Sequence, residues 1–411
     1  MYVVMIAFQK WKVWAVWIVA AIYAVCGVLP IKEIPSAINW NVLLMMAGTM
    51  LIVYYFIESR MPNRMADILM EKSPNVMWVT IYMSLFAGVI SAFIDNVATV
   101  LMVAPVGMAV CRKLKISPVP MILSIAVSSN LQGAATLVGD TTSILLGAYA
   151  NMDFARFFWM KGRPGIFFAV ELGAAATVPI MMFLFRKEKQ PLSPTEQTQV
   201  KDPVPTVILV LMVISLIAAS FVPDKIEITN GLICMGYAAL TILIHLIRTR
   251  DSLPVRMAVK SVDYETLLLL AGLFLVIEGI TQAGLVSDAA SLIVKAGGNN
   301  LFLLYTIIVW GSVLVSAFVD NIPYVATLLP VVKGVTAAMG IEPYLLYFGL
   351  LSGATLGGNL TPVGASANIT AVGMLRQYGE KVTFRDFMRI GLPFTLAAVL
   401  VGYLYIWFVW R

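Results

Sequence analysis

Two carboxylates sit where an apolar chain should not carry them. Asp95 lies in Ser91-Ala92-Phe93-Ile94-Asp95-Asn96, and Asp320 lies in Ser316-Ala317-Phe318-Val319-Asp320-Asn321, 225 residues later. Each copy is inside a long apolar run, where a charged carboxylate costs roughly 2.5–3.5 kcal/mol at mid-membrane. Writing the same costly Asp-Asn pair twice points to use, and the use that suits a buried carboxylate beside an amide is ion binding. Asp and Asn also bond free backbone groups, which fits a break between two helices. The pair therefore predicts the tips of two membrane-embedded hairpins around a central ion site. The plainer alternative is that the acids only cap the helix breaks.

The elements that must position these tips are membrane helices. Sixty per cent of the 411 residues are hydrophobic and 12% are charged, about half the charged share of a soluble domain. Apolar runs of spanning length recur along the chain. This is an all-α polytopic membrane protein. Its net charge of +6 bears on orientation and lipid headgroups and implies no nucleic-acid partner. Cys26, Cys111 and Cys234 have no ligand spacing and read as small packing residues. No cofactor is implied. Lys10 and Lys12 precede an apolar run without a small-residue cleavage site, which reads as a first transmembrane helix and not as a removed signal peptide.

Spans are predicted at 13–29 and 41–57, with a polar segment over 58–76. The stretch 77–111 breaks at Asp95-Asn96 and is basic at both ends, so it reads as a hairpin entering and leaving on one side. The stretch 117–150 is too long for a single span. Its middle carries Asn130, Gly133, Thr136, Gly139, Asp140 and Thr141, residues tolerated at membrane depth where they line a cavity or pack in protein. A span at 165–185 precedes the charged, proline-bearing linker 186–203. Further spans follow at 204–222, 229–247 and 264–280. The second hairpin is 301–332, the second broken span is 343–374 with Asn359 and Thr361, and the last span is 391–409.

The repeat extends beyond the hexapeptide. At the same offset, Gly133 falls on Gly358, Thr136-Leu137-Val138-Gly139 on Thr361-Pro362-Val363-Gly364, and Ile144 on Ile369. The chain divides into a first repeat over 1–185, a linker and connecting helix over 186–228, and a second repeat over 229–411. With the N-terminus inside, 20 of the 28 Lys and Arg fall in cytoplasmic segments, as the positive-inside rule requires. That threading puts the first hairpin's ends inside and the second's outside, so the repeats have inverted topology.

Ile94-Asp95-Asn96-Val97-Ala98-Thr99, followed by Pro105, resembles the Ser-Asn-Thr hairpin tips of the ion transporter superfamily, which holds the citrate and dicarboxylate carriers. The stretches GAATLVGDTTSI and GGNLTPVGASANI resemble its second motif, a helix break. Asp in place of the tip Ser, with Gly139-Asp140, brings the chain closest to the branch of arsenite permeases, sodium–proton antiporter relatives and the melanosomal P protein. The resemblance implies two inverted repeats, each with a re-entrant hairpin and a broken helix, in a homodimer with an elevator-like moving domain. Carried over by position, it implies ion site one at Asp95, Asn96, Thr99, Gly139 and Asp140. Site two is then Asp320, Asn321, Gly364, Ser366 and Asn368, with Na⁺ possible at both. Asn130, Thr136, Thr141, Asn359 and Thr361 are expected near the substrate. Two departures make the sites unequal: Thr141-Thr142-Ser143 replaces Pro-Pro-Asn, and Ala365 stands opposite Asp140.

Broken helices expose N–H and C=O groups that attract anions and cations respectively. The expected function is a secondary transporter in the plasma membrane, not an enzyme: a Na⁺- or H⁺-coupled permease for a small anion such as a carboxylate or arsenite. A neutral hydroxylated species such as arsenous acid is a separate reading of what is carried. The alternatives are a Na⁺/H⁺ antiporter using Asp95, Asp140 and Asp320 directly, and a passive channel. Val138-Gly139-Asp140 is a weak match to an intramembrane aspartyl protease motif, but Leu137 and the absence of a Tyr-Asp partner argue against it. Glu171 and Glu278 lack partners at the repeat offset and read as residues near span ends or paired with basic residues. His245 reads as interfacial, and Trp11, Trp14 and Trp17 as interfacial anchors.

Overall fold

The computed structural model describes residues 11–191, 197–297 and 300–411. Lys10 of the expected basic flank and residues 192–196 of the expected linker lie outside the described residues. Among the described residues, seven helices are long and apolar enough to cross a bilayer.

The first half runs through α1 (Lys12–Val25), α2 (Ile34–Ala37), α3 (Trp40–Glu58), α4 (Met61–Glu71), α5 (Val76–Ser91), α6 (Asn96–Leu114), α7 (Val119–Gly133), α8 (Thr141–Tyr149) and α9 (Ile166–Leu184). A short antiparallel pair, β1 (Trp159–Met160) and β2 (Arg163–Pro164), precedes α9. Helix α10 (Val204–Ala219) then crosses to the second half. That half holds α11 (Thr229–Thr249), α12 (Leu253–Ser261), α13 (Tyr264–Gln282), α14 (Leu285–Gly297), α15 (Leu301–Ser316), α16 (Asn321–Met339), α17 (Tyr344–Gly357), α18 (Ser366–Gln377) and α19 (Phe384–Trp410).

The repeat is written into helix boundaries. Adding 225 to the bounds of α5 and α6 gives those of α15 and α16, and α8 and α18 start at the same offset. The caps repeat as well. Asn75 Oδ1 accepts the Trp78 N–H at 3.2 Å, and Asn300 Oδ1 accepts the Leu303 N–H at 3.1 Å. Both predicted hairpins are therefore helix–turn–helix units broken at Asp-Asn, and both predicted broken spans have a non-helical middle. The apolar-run reading passed over α4, α12 and α14. These are amphipathic helices: α4 interleaves Asn63, Arg64 and Asp67 with Ala66 and Met70, so its mean hydropathy hides its helical face.

The broken helices form the centre. Met121–Gly133 of α7 and Leu345–Gly357 of α17 are buried throughout, as a helix enclosed on all sides must be. The peripheral helices keep an exposed apolar face, with Ile18, Ile22, Leu243 and Leu404 among the residues on it.

Polar contacts sort the connections into two groups. Ser59 O accepts the Lys201 N–H at 2.9 Å, Asp67 Oδ2 accepts the Thr198 N–H at 2.7 Å, and Arg248 donates to Asp202 at 3.1 Å. Glu188 O accepts the Met77 N–H at 2.9 Å, which adds the start of the first hairpin to this group. In the other group Lys225 pairs with Asp153, Lys161 donates to Glu342 at 2.7 Å, and Arg163 donates to Val409 O at 2.8 Å. Glu342 directly follows the second hairpin.

Candidate ion site

The first tip is fixed from both sides. Helix α5 ends at Ser91, a short turn follows, and Asp95 caps α6 by accepting the Val97 and Ala98 N–H groups on Oδ2 at 3.0 and 3.1 Å. Oδ1 is left without a protein partner among the described residues. The break between α7 and α8 is pressed against this tip. Thr136 Oγ1 donates to Ala92 O. A Cβ on Gly139 would lie 2.7 Å from Ser91 O and 2.6 Å from Gly133 O, so only glycine lets these backbones meet. Ser143 Oγ reaches Gly133 O at 3.3 Å across the break.

The second tip repeats the arrangement with one cap bond fewer, because Pro323 stands in the place of Ala98 and has no N–H to donate. Asp320 Oδ1 accepts the Ile322 N–H at 3.3 Å, and Thr361 Oγ1 donates to Ala317 O. A Cβ on Gly364 would lie 2.8 Å from Ser316 O and 2.7 Å from Gly358 O. Asn368, opposite Ser143, donates to Gly358 O at 3.0 Å. Thr136, Thr361, Gly139 and Gly364 are thus the clamps that hold tip to break.

The two sites then diverge. A cavity of about 200 Å³ opens at the first tip, with Asp95, Val97, Ala98, Gly139, Asp140 and Thr141 on one side. Thr49, Tyr54, Ser261 and Asp263 are on the other. The N-termini of α6 and α8 both reach this cavity, and its charged groups are carboxylates only. Asp140 is 3% exposed and accepts from Thr142 Oγ1 at 3.0 Å. No lysine or arginine pairs with Asp95 or Asp140 among the described residues. The site-two residues are not part of this lining. There Asp320 Oδ2 lies 3.6 Å from Lys12 Nζ. Ser316 Oγ, Asn321 Nδ2 and Asn368 Oδ1 are buried without a hydrogen-bond partner, and Ser366 is half-buried at the start of α18. Tyr324 takes the place of Thr99 and donates to Ser312 Oγ at 3.1 Å.

Asn130 and Asn359 do not line the cavity. Asn130 accepts from Asn96 Nδ2 at 2.9 Å and donates to Thr355 O at 2.8 Å and to Asn359 Oδ1 at 3.1 Å. Asn359 donates to Val127 O at 2.9 Å. Together they tie the two broken helices to each other. Thr99 is buried next to the tip with an unpartnered Oγ1 and also stays outside the lining.

Asp263 is the cavity acid that the sequence reading passed over. It caps α13, accepting from the Thr266 N–H at 3.0 Å and Thr266 Oγ1 at 2.6 Å. The signal was Asp263-x-x-Thr266 before an apolar run, which any helix start can show. Glu278 sits near the end of α13 and accepts from Gln282 at 3.1 Å. The His245 ring is tilted against that of Tyr55, with ring centroids 5.2 Å apart. Glu171 is half-buried on α9. None of these three lines the acidic cavity.

Helix breaks clamped to hairpin tips beside an acid-lined cavity, within a shell of spanning helices, define a membrane transporter of small solutes. The family comparison agrees: residues 2–351 match the model of the CitMHS family, described as citrate transporters. The chain belongs to that family and, through it, to the ion transporter superfamily. It is 30% identical over 384 residues to the 46 kDa membrane protein of Mycobacterium leprae, covering 90% of this chain and 87% of that one. It is 25% identical to the human P protein, covering 93% of this chain and 55% of the P protein. Two solved structures share the fold at 14% identity. One is the YdaH transporter of Alcanivorax borkumensis, with a TM-score of 0.64 over 91% of this chain and 86% of that one. The other is MtrF of Neisseria gonorrhoeae, titled as one of a class of antimetabolite efflux pumps, with 0.60 over 94% and 83%.

Proposed function

We propose that the protein is a cation-coupled secondary transporter of a small carboxylate or oxyanion, with site one as the coupling site. The observation that carries this is the lining of the cavity. Its charged groups are Asp95, Asp140 and Asp263, and two helix N-termini reach it. Helix N-termini favour an anion, whereas bare carboxylates repel it. An anion gains a net attraction only after Na⁺ or H⁺ has neutralised the acids, so the cation must bind first. That order makes coupling obligatory, because leak of anion alone meets the uncompensated carboxylates. Citrate is the first substrate to test, since the family's model is described by that activity.

The same lining supports a second reading. No basic side chain lines the cavity among the described residues, so Asp95 and Asp140 alone suffice to exchange Na⁺ for H⁺ with no anion at all. Citrate-dependent ion flux in proteoliposomes separates the two.

The reading extends to mechanism and assembly. The two contact groups at the ends of the spans support inverted repeats over 1–185 and 229–411, with 186–228 joining them. In this reading α5–α8 and α15–α18 move together against a scaffold in a homodimer, in the plasma membrane with the N-terminus cytoplasmic. Cross-linking of single-cysteine variants on the exposed face of α1 tests the dimer.

A further inference from the structure

Site two has an internal cation. Helix α1 turns Lys12, Val16 and Ala20 inward, four residues apart on one face. Val16 and Ala20 are buried, and Lys12 is 19% exposed at its side chain. The face they meet is a seven-residue series on α13: Glu265, Gly272 and Gly279. A Cβ on Gly272 would lie 2.7 Å from Val16 Cγ1, and one on Gly279 would lie 2.3 Å from the Tyr23 ring. Trp17 Nε1 donates to Leu268 O at 3.0 Å and locks the rotation of α1. This packing carries the Lys12 ammonium to 3.8 Å from Glu265 Oε1 and 3.6 Å from Asp320 Oδ2. Asp320 is 22% exposed, so this pair is better shielded than the one with Glu265, which is 59% exposed. Asp95, its counterpart, has no such partner among the described residues.

We propose that Lys12 is the resident counter-ion of site two, occupying the carboxylate that would otherwise take a coupling Na⁺. This rests on the reading of the duplicated tips as cation sites. It makes the two halves unequal in work: site one exchanges its cation with solution, while in the described conformation site two is neutralised by the protein's own ammonium. One Na⁺ then binds per protomer where two equivalent tips would bind two.

The test counts sodium on the purified full-length protein in nanodiscs, using ²²Na⁺ at saturation and mildly alkaline pH so that protons compete little. Lys12→Gln is expected to bind one Na⁺ more per protomer than wild type, and Lys12→Gln with Asp320→Asn to return to the wild-type count. Equal counts in wild type and Lys12→Gln overturn the proposal, and so does a gain that survives Asp320→Asn. If Lys12→Gln is not monodisperse, Asp320→Asn alone decides: an unchanged count supports the proposal, and a loss of one Na⁺ overturns it. Asp95→Asn reads the underlying assignment separately, since it removes the site-one Na⁺ whatever Lys12 does.

Discussion

Asp95 does two jobs with different atoms, and this decides how it should be mutated. Oδ2 holds the α6 N-terminus through two N–H bonds, while Oδ1 is free at a cavity wall. Asn is as good an N-cap as Asp, so Asp95→Asn should change stability by less than about 1 kcal/mol while removing the charge. Coupled transport is expected to be lost with the melting temperature nearly unchanged; full transport activity would sink the site assignment. Asp263→Asn should likewise keep the α13 cap and fold normally. Because it removes one of three acids from the cavity, it should raise the apparent KM for the coupling cation in flux assays. An unchanged KM would confine Asp263 to capping. The difference in legibility between these acids is physical. Asp95 stands out because burying it in a long apolar run is costly. Asp263 stands at the end of a span, where a cap and a site acid look alike. Lys12 was hidden for a related reason, since a basic residue before a first span looks like a topology signal.

At the scale of elements, the clamp between tip and break is the repeated unit. Gly139→Ala and Gly364→Ala each drive a methyl into backbone oxygens at 2.6–2.8 Å. Overpacking of this kind costs roughly 1–3 kcal/mol, and here it must push the tip off the break. Both variants are expected to melt lower and to lose transport, with Gly139→Ala also weakening Na⁺ binding. Normal melting in either would mean that the tips are not clamped in this way. The Thr-x-x-Gly repeat at the offset of 225 was readable, but sequence put Thr136 and Thr361 near the substrate and Gly139 and Gly364 in the ion sites; their close contacts between tip and break show only in the structure. The amphipathic helices α4, α12 and α14 were not readable from apolar runs, since only one face of each is apolar. Their faces become visible at a period of 3.6 residues.

For the whole molecule, the halves meet through the asparagines of the broken helices: Asn130 donates to the carbonyl of Thr355, its own counterpart at the offset of 225. Asn130 and Asn359 lie 229 residues apart, so they pair across the repeats and not as counterparts. Sequence placed both near the substrate because they are polar at membrane depth; the structure spends their amides on joining α7 to α17. Asn130→Ala leaves Thr355 O and the amide groups of Asn96 and Asn359 short of partners, at roughly 1–3 kcal/mol for a buried unsatisfied group. A clear fall in melting temperature is expected, and no change would show that water replaces the side chain. The inverted arrangement has its own check. An impermeant thiol reagent applied to whole cells should label a cysteine at Lys161 and spare one at Lys187; labelling of both, or the reverse pattern, would contradict the threading. In the proposed function, cation binding at site one lets an anion into an acid-lined cavity. Its most direct test is in proteoliposomes holding a trapped pH dye and a Na⁺ indicator, with Na⁺ and pH gradients imposed before and after addition of citrate. Saturable ion flux is expected only once citrate is present, and none in Asp95→Asn. Saturable Na⁺/H⁺ exchange with no anion present, abolished by the same substitution, would contradict the proposal and make the protein a cation–proton antiporter.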